Sequence, residues 1–125
     1  MSKKILIVDD EIHMRDLIER ALEPLSDADV QFLSARGGIE AIEKATLYKP
    51  DMVILDIMMP DLSGIEVCSK VKKDGLSPYV LMLTAMGQKN NKIDALEVGA
   101  DEYITKPFDP EYLLQRVSQI IKVAL

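Results

Sequence analysis

The feature that most constrains this chain is the run Met52-Val53-Ile54-Leu55, apolar at every position and followed at once by Asp56. A strand with one wet face alternates apolar and polar residues. An unbroken apolar run belongs to a strand covered on both faces, as in the middle of a parallel sheet. Ile5-Leu6-Ile7-Val8 and Tyr79-Val80-Leu81-Met82-Leu83 read the same way. Each needs helices above and below it, which commits the chain to alternating strands and helices.

The segments between supply those helices. After Asp9-Asp10-Glu11, a ladder of Met14, Leu17, Ile18, Ala21, Leu22 and Leu25 predicts a first helix. Val30–Leu33 is a second, mixed strand. Gly37-Gly38 opens a second helix with Ala41, Ile42 and Ala45 inward, and Lys49-Pro50 ends it, because a residue before proline is pushed out of the helical region. A third helix runs from about Ser63 with Ile65, Cys68 and Val71 inward, stopped by Asp74-Gly75. A polar fourth helix spans roughly Gln88–Val98 and carries Ile93 and Leu96, and Ala100–Thr105 is a fifth strand. The last helix starts at Asp109 or Pro110, with Leu113, Val117, Ile120, Ile121 and Ala124 on one face; Pro110 suits a first turn, where its missing N–H costs nothing.

Strict alternation of β and α units implies a parallel sheet, helices on both faces and right-handed crossovers. Polar residues in strands two (Gln31) and five (Glu102, Thr105) suit edges, so the expected order is 2-1-3-4-5. That is the doubly wound (βα)5 arrangement already known for flavodoxin-like sheets. At 125 residues the chain reads as one domain, 1–125, with no linker or low-complexity break.

Composition excludes several classes. No apolar run approaches the ~20 residues of a membrane span, and four apolar residues before Asp9 are too few for a signal peptide. A cytoplasmic location is the expectation. Cys68 is the sole cysteine and His13 the sole histidine, so neither a disulfide nor a zinc-type cluster can form within the chain. A net charge of −6 argues against direct nucleic-acid binding by this domain.

Ligands of open α/β sheets bind outside the carboxyl ends of the strands. There, strand one delivers Asp9 and Asp10, strand three Asp56, strand four Thr84 and strand five Lys106. Alone, Asp56 would read as a helix cap, Asp9-Asp10-Glu11 as an acidic first turn and Thr84 as a turn residue. Together they converge on one crevice. About 4 Å apart, two carboxylates repel by roughly 4 kcal/mol at an effective dielectric of about 20, so a compensating cation is expected. An all-oxygen site with room for water suits Mg²⁺, and Lys106 adds a mobile positive charge. Such a site fits a phosphoryl group: Asp56 as nucleophile, Mg²⁺ and Lys106 on two phosphoryl oxygens, the Thr84 hydroxyl and Ala85 N–H on the third.

The chain resembles a bacterial response regulator receiver domain over essentially its whole length. The resemblance rests on Val8-Asp9-Asp10-Glu11, Leu55-Asp56-Ile57-Met58-Met59-Pro60-Asp61-Leu62-Ser63-Gly64, Leu83-Thr84-Ala85, Gly99-Ala100-Asp101-Glu102-Tyr103 and Thr105-Lys106-Pro107-Phe108. It implies that Asp10, Asp56 and the Met58 carbonyl hold Mg²⁺, with Asp9 acting through water. It implies a histidine kinase or phosphotransfer protein as donor, a Thr84–Tyr103 switch, and a cis Lys106-Pro107 bond. The output would come from an effector domain or a separate protein, through the fourth helix, fifth strand and fifth helix. In winged-helix transcription-factor regulators that surface dimerises. Glu102 and Arg116 keep one charge pair, but Tyr112 stands where an acid is usual, leaving Lys92 without its counterpart and a phosphorylation-dependent dimer open. Met58 and Met86 are candidates for controlling water access to the site, and His13 reads as a surface helix residue.

Such a domain catalyses only its own phosphorylation and dephosphorylation. An Asp-nucleophile phosphohydrolase is the alternative enzyme class, but Met58 stands where its second acid is needed. A pseudo-receiver that only docks partners is the other alternative, against which the full set of acids, Thr84 and Lys106 argues. A dinucleotide-binding domain fails for want of a Gly-x-Gly-x-x-Gly after the first strand.

Overall fold

A computed structural model describes residues 2–73, 78–85 and 89–123 of the chain. Its elements are β1 (Lys3–Val8), α1 (Ile12–Ala21), a 3₁₀ turn (Glu23–Ala28), β2 (Val30–Ala35), α2 (Gly38–Tyr48), β3 (Met52–Leu55), α3 (Gly64–Lys73), β4 (Tyr79–Thr84), α4 (Lys89–Glu97), β5 (Glu102–Thr105) and α5 (Pro110–Ile121). The sheet has five strands, all parallel, in the order β2-β1-β3-β4-β5. This is the flavodoxin-like arrangement expected from the sequence. No described helix is long and apolar enough to cross a membrane.

The apolar runs divide between two faces because successive strand side chains point to opposite sides. Leu6, Val8, Val53, Leu55, Val80 and Met82 pack with Ala41 and Ala45 of α2, Val67, Cys68 and Val71 of α3, and Ala95 of α4. Ile5, Ile7, Met52, Ile54, Leu81 and Leu83 pack with Ile18 of α1 and Leu113, Val117 and Ile121 of α5. Each fully buried Leu, Ile or Val contributes about 1.5–3 kcal/mol, so the central strands anchor both layers. Burial pushes the Cys68 thiol up to about 11, which leaves it a packing residue.

Several expectations are corrected. The first ladder does not continue as one helix to Leu25: α1 stops at Ala21, and Leu22 and Leu25 are buried around a 3₁₀ turn that carries Pro24 in its first turn. Proline disfavours helical backbone at the residue before it, here Glu23. Leu17 sits on the ladder yet is 51% exposed, and on α4 it is Ala95 that turns inward while Ile93 and Leu96 face outward. Val67 and Leu114 join the core as well. Asp74-Gly75, Met86, Gln88 and Ala124 lie outside the described residues.

The strand register sets up the site. Val8 pairs with Leu55, so Asp9 and Asp56 leave neighbouring strands at one level. Thr84 pairs with Thr105, which brings Lys106 to the same rim.

Candidate phosphoryl-binding site

Asp9 and Asp56 are both buried, 1% and 6% exposed. Backbone hydrogen bonds from Asp9 N to Ala35 O and from Asp56 N to Val8 O hold their main chains in the sheet. The Asp9 carboxylate accepts from the Glu11 N–H (2.9 Å), while the Arg15 guanidinium donates to the Asp9 carbonyl (2.7 Å). Asp56 Oδ1 accepts from the Met58 N–H at 3.2 Å.

Lys106 closes the crevice. Its Nζ donates to Asp9 Oδ2 at 2.7 Å and to Asp56 Oδ2 at 3.0 Å. Lys106 therefore supplies one compensating positive charge for the two acids. Burial pulls the Lys106 ammonium down, but the hydrogen bonds and charges of Asp9 and Asp56 outweigh it and raise its pKa. Burial raises the Asp9 carboxyl, against the pull of Lys106 and the Glu11 N–H. One cation faces two acids, so the crevice keeps a net negative charge.

Asp10 and Glu11 lie at the exposed mouth and gather with Asp9, their carboxylate oxygens within 4.8 Å of one another. Asp56 is not in that trio and reaches it through Lys106. Thr84 is fully buried at the end of β4, and its carbonyl accepts from the Lys106 N–H at 2.8 Å. Tyr103 is half-buried against the face that carries α2, α3 and α4. Burial raises its phenol, with the Asp56 charge adding to the effect. Met58 is 59% exposed beside Asp10, Met59 and Pro60 in a surface groove. His13 is exposed, and the Lys106-Pro107 bond is cis.

Three features escaped the sequence reading. Gly64 N donates to Ile57 O at 2.9 Å, and a Cβ at Gly64 would fall 2.1 Å from the Asp56 carbonyl oxygen, so only glycine lets α3 start there. A glycine three residues past Asp61 at a helix start was the available signal. Arg15 as an anchor of Asp9 had none. Asp61 reaches α2, and only the Gly37-Gly38 pair hinted at so close an approach.

A family model described as the response regulator receiver domain matches residues 5–118. The alkaline phosphatase synthesis transcriptional regulatory protein PhoP of Bacillus subtilis is 45% identical over 122 residues, 98% of this chain and 50% of that protein. The chemotaxis protein CheY of Halobacterium salinarum is 38% identical over 122 residues, 97% of this chain and 98% of the other. Among solved structures, a BeF3-activated DrrB receiver domain superposes with a TM-score of 0.82 at 31% identity, over 98% of this chain and 99% of its own. The chain spans about half the length of the transcriptional regulators it matches.

Proposed function

The chain belongs to the response regulator receiver family, and from that premise we propose that it is a phosphoacceptor switch whose Asp56 takes a phosphoryl group from the phosphohistidine of a histidine kinase or phosphotransfer protein. A receiver is a signalling domain of two-component systems, not a metabolic enzyme. The observation that carries the reading is the Lys106 ammonium bonded to both Asp9 and Asp56 in a buried crevice at the strand ends.

An Asp56 carboxylate oxygen attacks phosphorus as the P–N bond to the donor imidazole breaks. The imidazole takes its proton from solvent, and Asp56 is left as an acyl phosphate. Phosphoryl transfer asks the protein mainly for positioning and charge neutralisation. Lys106 keeps its contact with Asp9 and follows the incoming phosphoryl oxygen. The Thr84 hydroxyl and the Ala85 N–H serve another oxygen. Asp9 and Asp10 of the acidic trio, with the Asp56 carboxylate joined to Asp9 through Lys106, offer the hard oxygen donors a divalent cation takes. Asp10, Asp56 and the Met58 carbonyl would hold Mg²⁺, with Asp9 acting through water, and the bound ion would supply further neutralisation of phosphoryl charge.

The new phosphate biases Thr84 and Tyr103 between two arrangements. Moving such a pair from 1:99 to 99:1 takes about 5.5 kcal/mol of differential interaction. A charge-assisted Lys106 bond and the Thr84 bond together supply a good part of it. The readout surface is α4, β5 and α5, addressed to an effector domain or output protein. A Tyr103 ring environment unchanged on phosphorylation, read by NMR, would remove the switch step.

The test is labelling by acetyl phosphate with and without Mg²⁺ in wild type and Asp56→Asn. Wild type labels only with Mg²⁺, and the variant loses labelling. Equal labelling of both proteins would take Asp56 out of its role.

A further inference from the structure

The loop between β3 and α3 carries Met58, whose N–H holds Asp56 Oδ1, and it is fastened at two points. One lies beside Asp56 itself, where Gly64 N donates to Ile57 O at 2.9 Å. The other is Asp61, whose carboxylate leaves its own loop and caps a different helix. Oδ1 accepts from the Gly38 N–H at 2.9 Å and the Leu62 N–H at 2.8 Å, and Oδ2 from the Ile39 N–H at 3.0 Å.

A helix leaves its first N–H groups unpaired, and the residue just before it is the usual partner. That residue in α2 is Gly37, which has no side chain to offer. The anion comes from across the fold, to a helix end that favours negative charge. Both glycines are fitted to this approach. A Cβ at Gly37 would stand 2.9 Å from Asp61 Oδ1, and one at Gly38 would stand 2.7 Å from Leu62 Cβ. These amide bonds hold the Asp61 carboxyl down at about 2, so it remains an anion under all ordinary conditions.

We propose that Asp61 is a positioning residue for the phosphoryl acceptor: by clamping the Met58-Met59-Pro60 span against the start of α2, it fixes the Met58 backbone that orients Asp56 and contributes to the cation site. The inference rests on the phosphoacceptor reading above. Its physical content is that a loop fastened at one end only would let the Met58 peptide wander. Loss of such supporting contacts around a metal site typically lowers affinity 10–100-fold.

The experiment uses the full chain as wild type, Asp61→Ala, Asp61→Asn and Asp51→Ala. The last removes a carboxylate that accepts from Lys4 N at the opposite edge of the sheet and serves as a control for lost stability. MgCl₂ is titrated while the Met58 and Gly38 amides are followed by NMR, and acetyl phosphate labelling is timed across the same Mg²⁺ range. In Asp61→Ala, Mg²⁺ binds on the order of ten-fold more weakly, and labelling slows most at low Mg²⁺. Asp61→Asn keeps an oxygen for Gly38 and Leu62 and recovers most of both. Asp51→Ala matches wild type. Wild-type Mg²⁺ affinity and labelling in Asp61→Ala would overturn the clamp alone, as would an equal loss in Asp51→Ala. Wild type that labels no better than Asp56→Asn would instead overturn the phosphoacceptor reading.

Discussion

Two charge clusters stand at the sheet, and they are built on opposite principles. At the carboxyl rim, Lys106 is shared between Asp9 and Asp56, with side chains 10%, 1% and 7% exposed. Toward the other end of β5, Arg116 grips Glu102 with both arms, Nε to Oε2 at 2.9 Å and Nη2 to Oε1 at 2.6 Å, while the Tyr79 hydroxyl donates to the same carboxylate at 2.9 Å. The second cluster is balanced, one cation to one anion, and more open to water, with side chains 30% and 16% exposed. The first is buried and short of one positive charge. A balanced pair has no use for a further ion, whereas an unbalanced buried one gains by taking up a cation. The rim is the place where the fold leaves electrostatic work undone.

Removing the cation from each cluster gives the sharpest break. Lys106→Met leaves Asp9 and Asp56 facing each other unpaired, and stripping one partner from a buried ion pair costs about 3–5 kcal/mol. Urea unfolding at neutral pH measures that loss. Mg²⁺ then restores part of it, because a ligand at a hundred times its dissociation constant stabilises by about 2.7 kcal/mol. A Lys106→Met protein as stable as wild type would mean that the two acids do not repel and that the rim carries no special charge.

Arg116→Met is the matching change at the balanced cluster. The side chain is 30% exposed, and Glu102 keeps its Tyr79 hydrogen bond. A partly buried, two-armed pair of this kind contributes about 1.5–3 kcal/mol, less than the rim. The same urea titration detects it, and Mg²⁺ raises the variant by no more than it raises wild type. Closure by Mg²⁺ of the gap between Arg116→Met and wild type would erase the distinction between the clusters.

The two clusters were unequally legible in the sequence. Asp9, Asp56, Thr84 and Lys106 could be found because each follows, or ends, a strand whose position is fixed by apolar residues, so parallel register brings them to one rim. Their pairing was not legible. That one ammonium bonds both acids depends on the reach of a side chain from residue 106, which no pattern states. Helix faces split in the same way. Ala41, Ala45, Cys68 and Val71 lay where their periodicity put them. On α4, Ile93 and Leu96 face outward because the helix meets the sheet through the small Ala95, a choice that apolar residues alone do not state. Asp61 was beyond reach for a third reason: its partners are 22 and 23 positions away on another helix.

The smallest effect is a change of slope with pH. The Arg116 hydrogen bonds hold the Glu102 carboxyl below its ordinary 4.5, opposed by burial and helped by Tyr79. A carboxyl depressed by folding gives stability that is present above its unfolded pKa and lost as pH falls through the folded one. Acidification below about 4.5 therefore weakens this cluster. The rim runs the other way at its deepest acid: burial raises the Asp9 carboxyl, so protonation there relieves the fold instead of loosening it. Midpoints of thermal unfolding, followed from neutral pH downward with a chelator present, separate the two. Glu102→Gln flattens the acid limb of the curve, since the replacement cannot titrate. An unchanged limb would place the acid sensitivity elsewhere, with Asp61 next in order: its carboxyl lies at about 2, and its cap is lost between the ordinary 3.8 and that value. Asp61→Asn tests that assignment by the same flattening at lower pH.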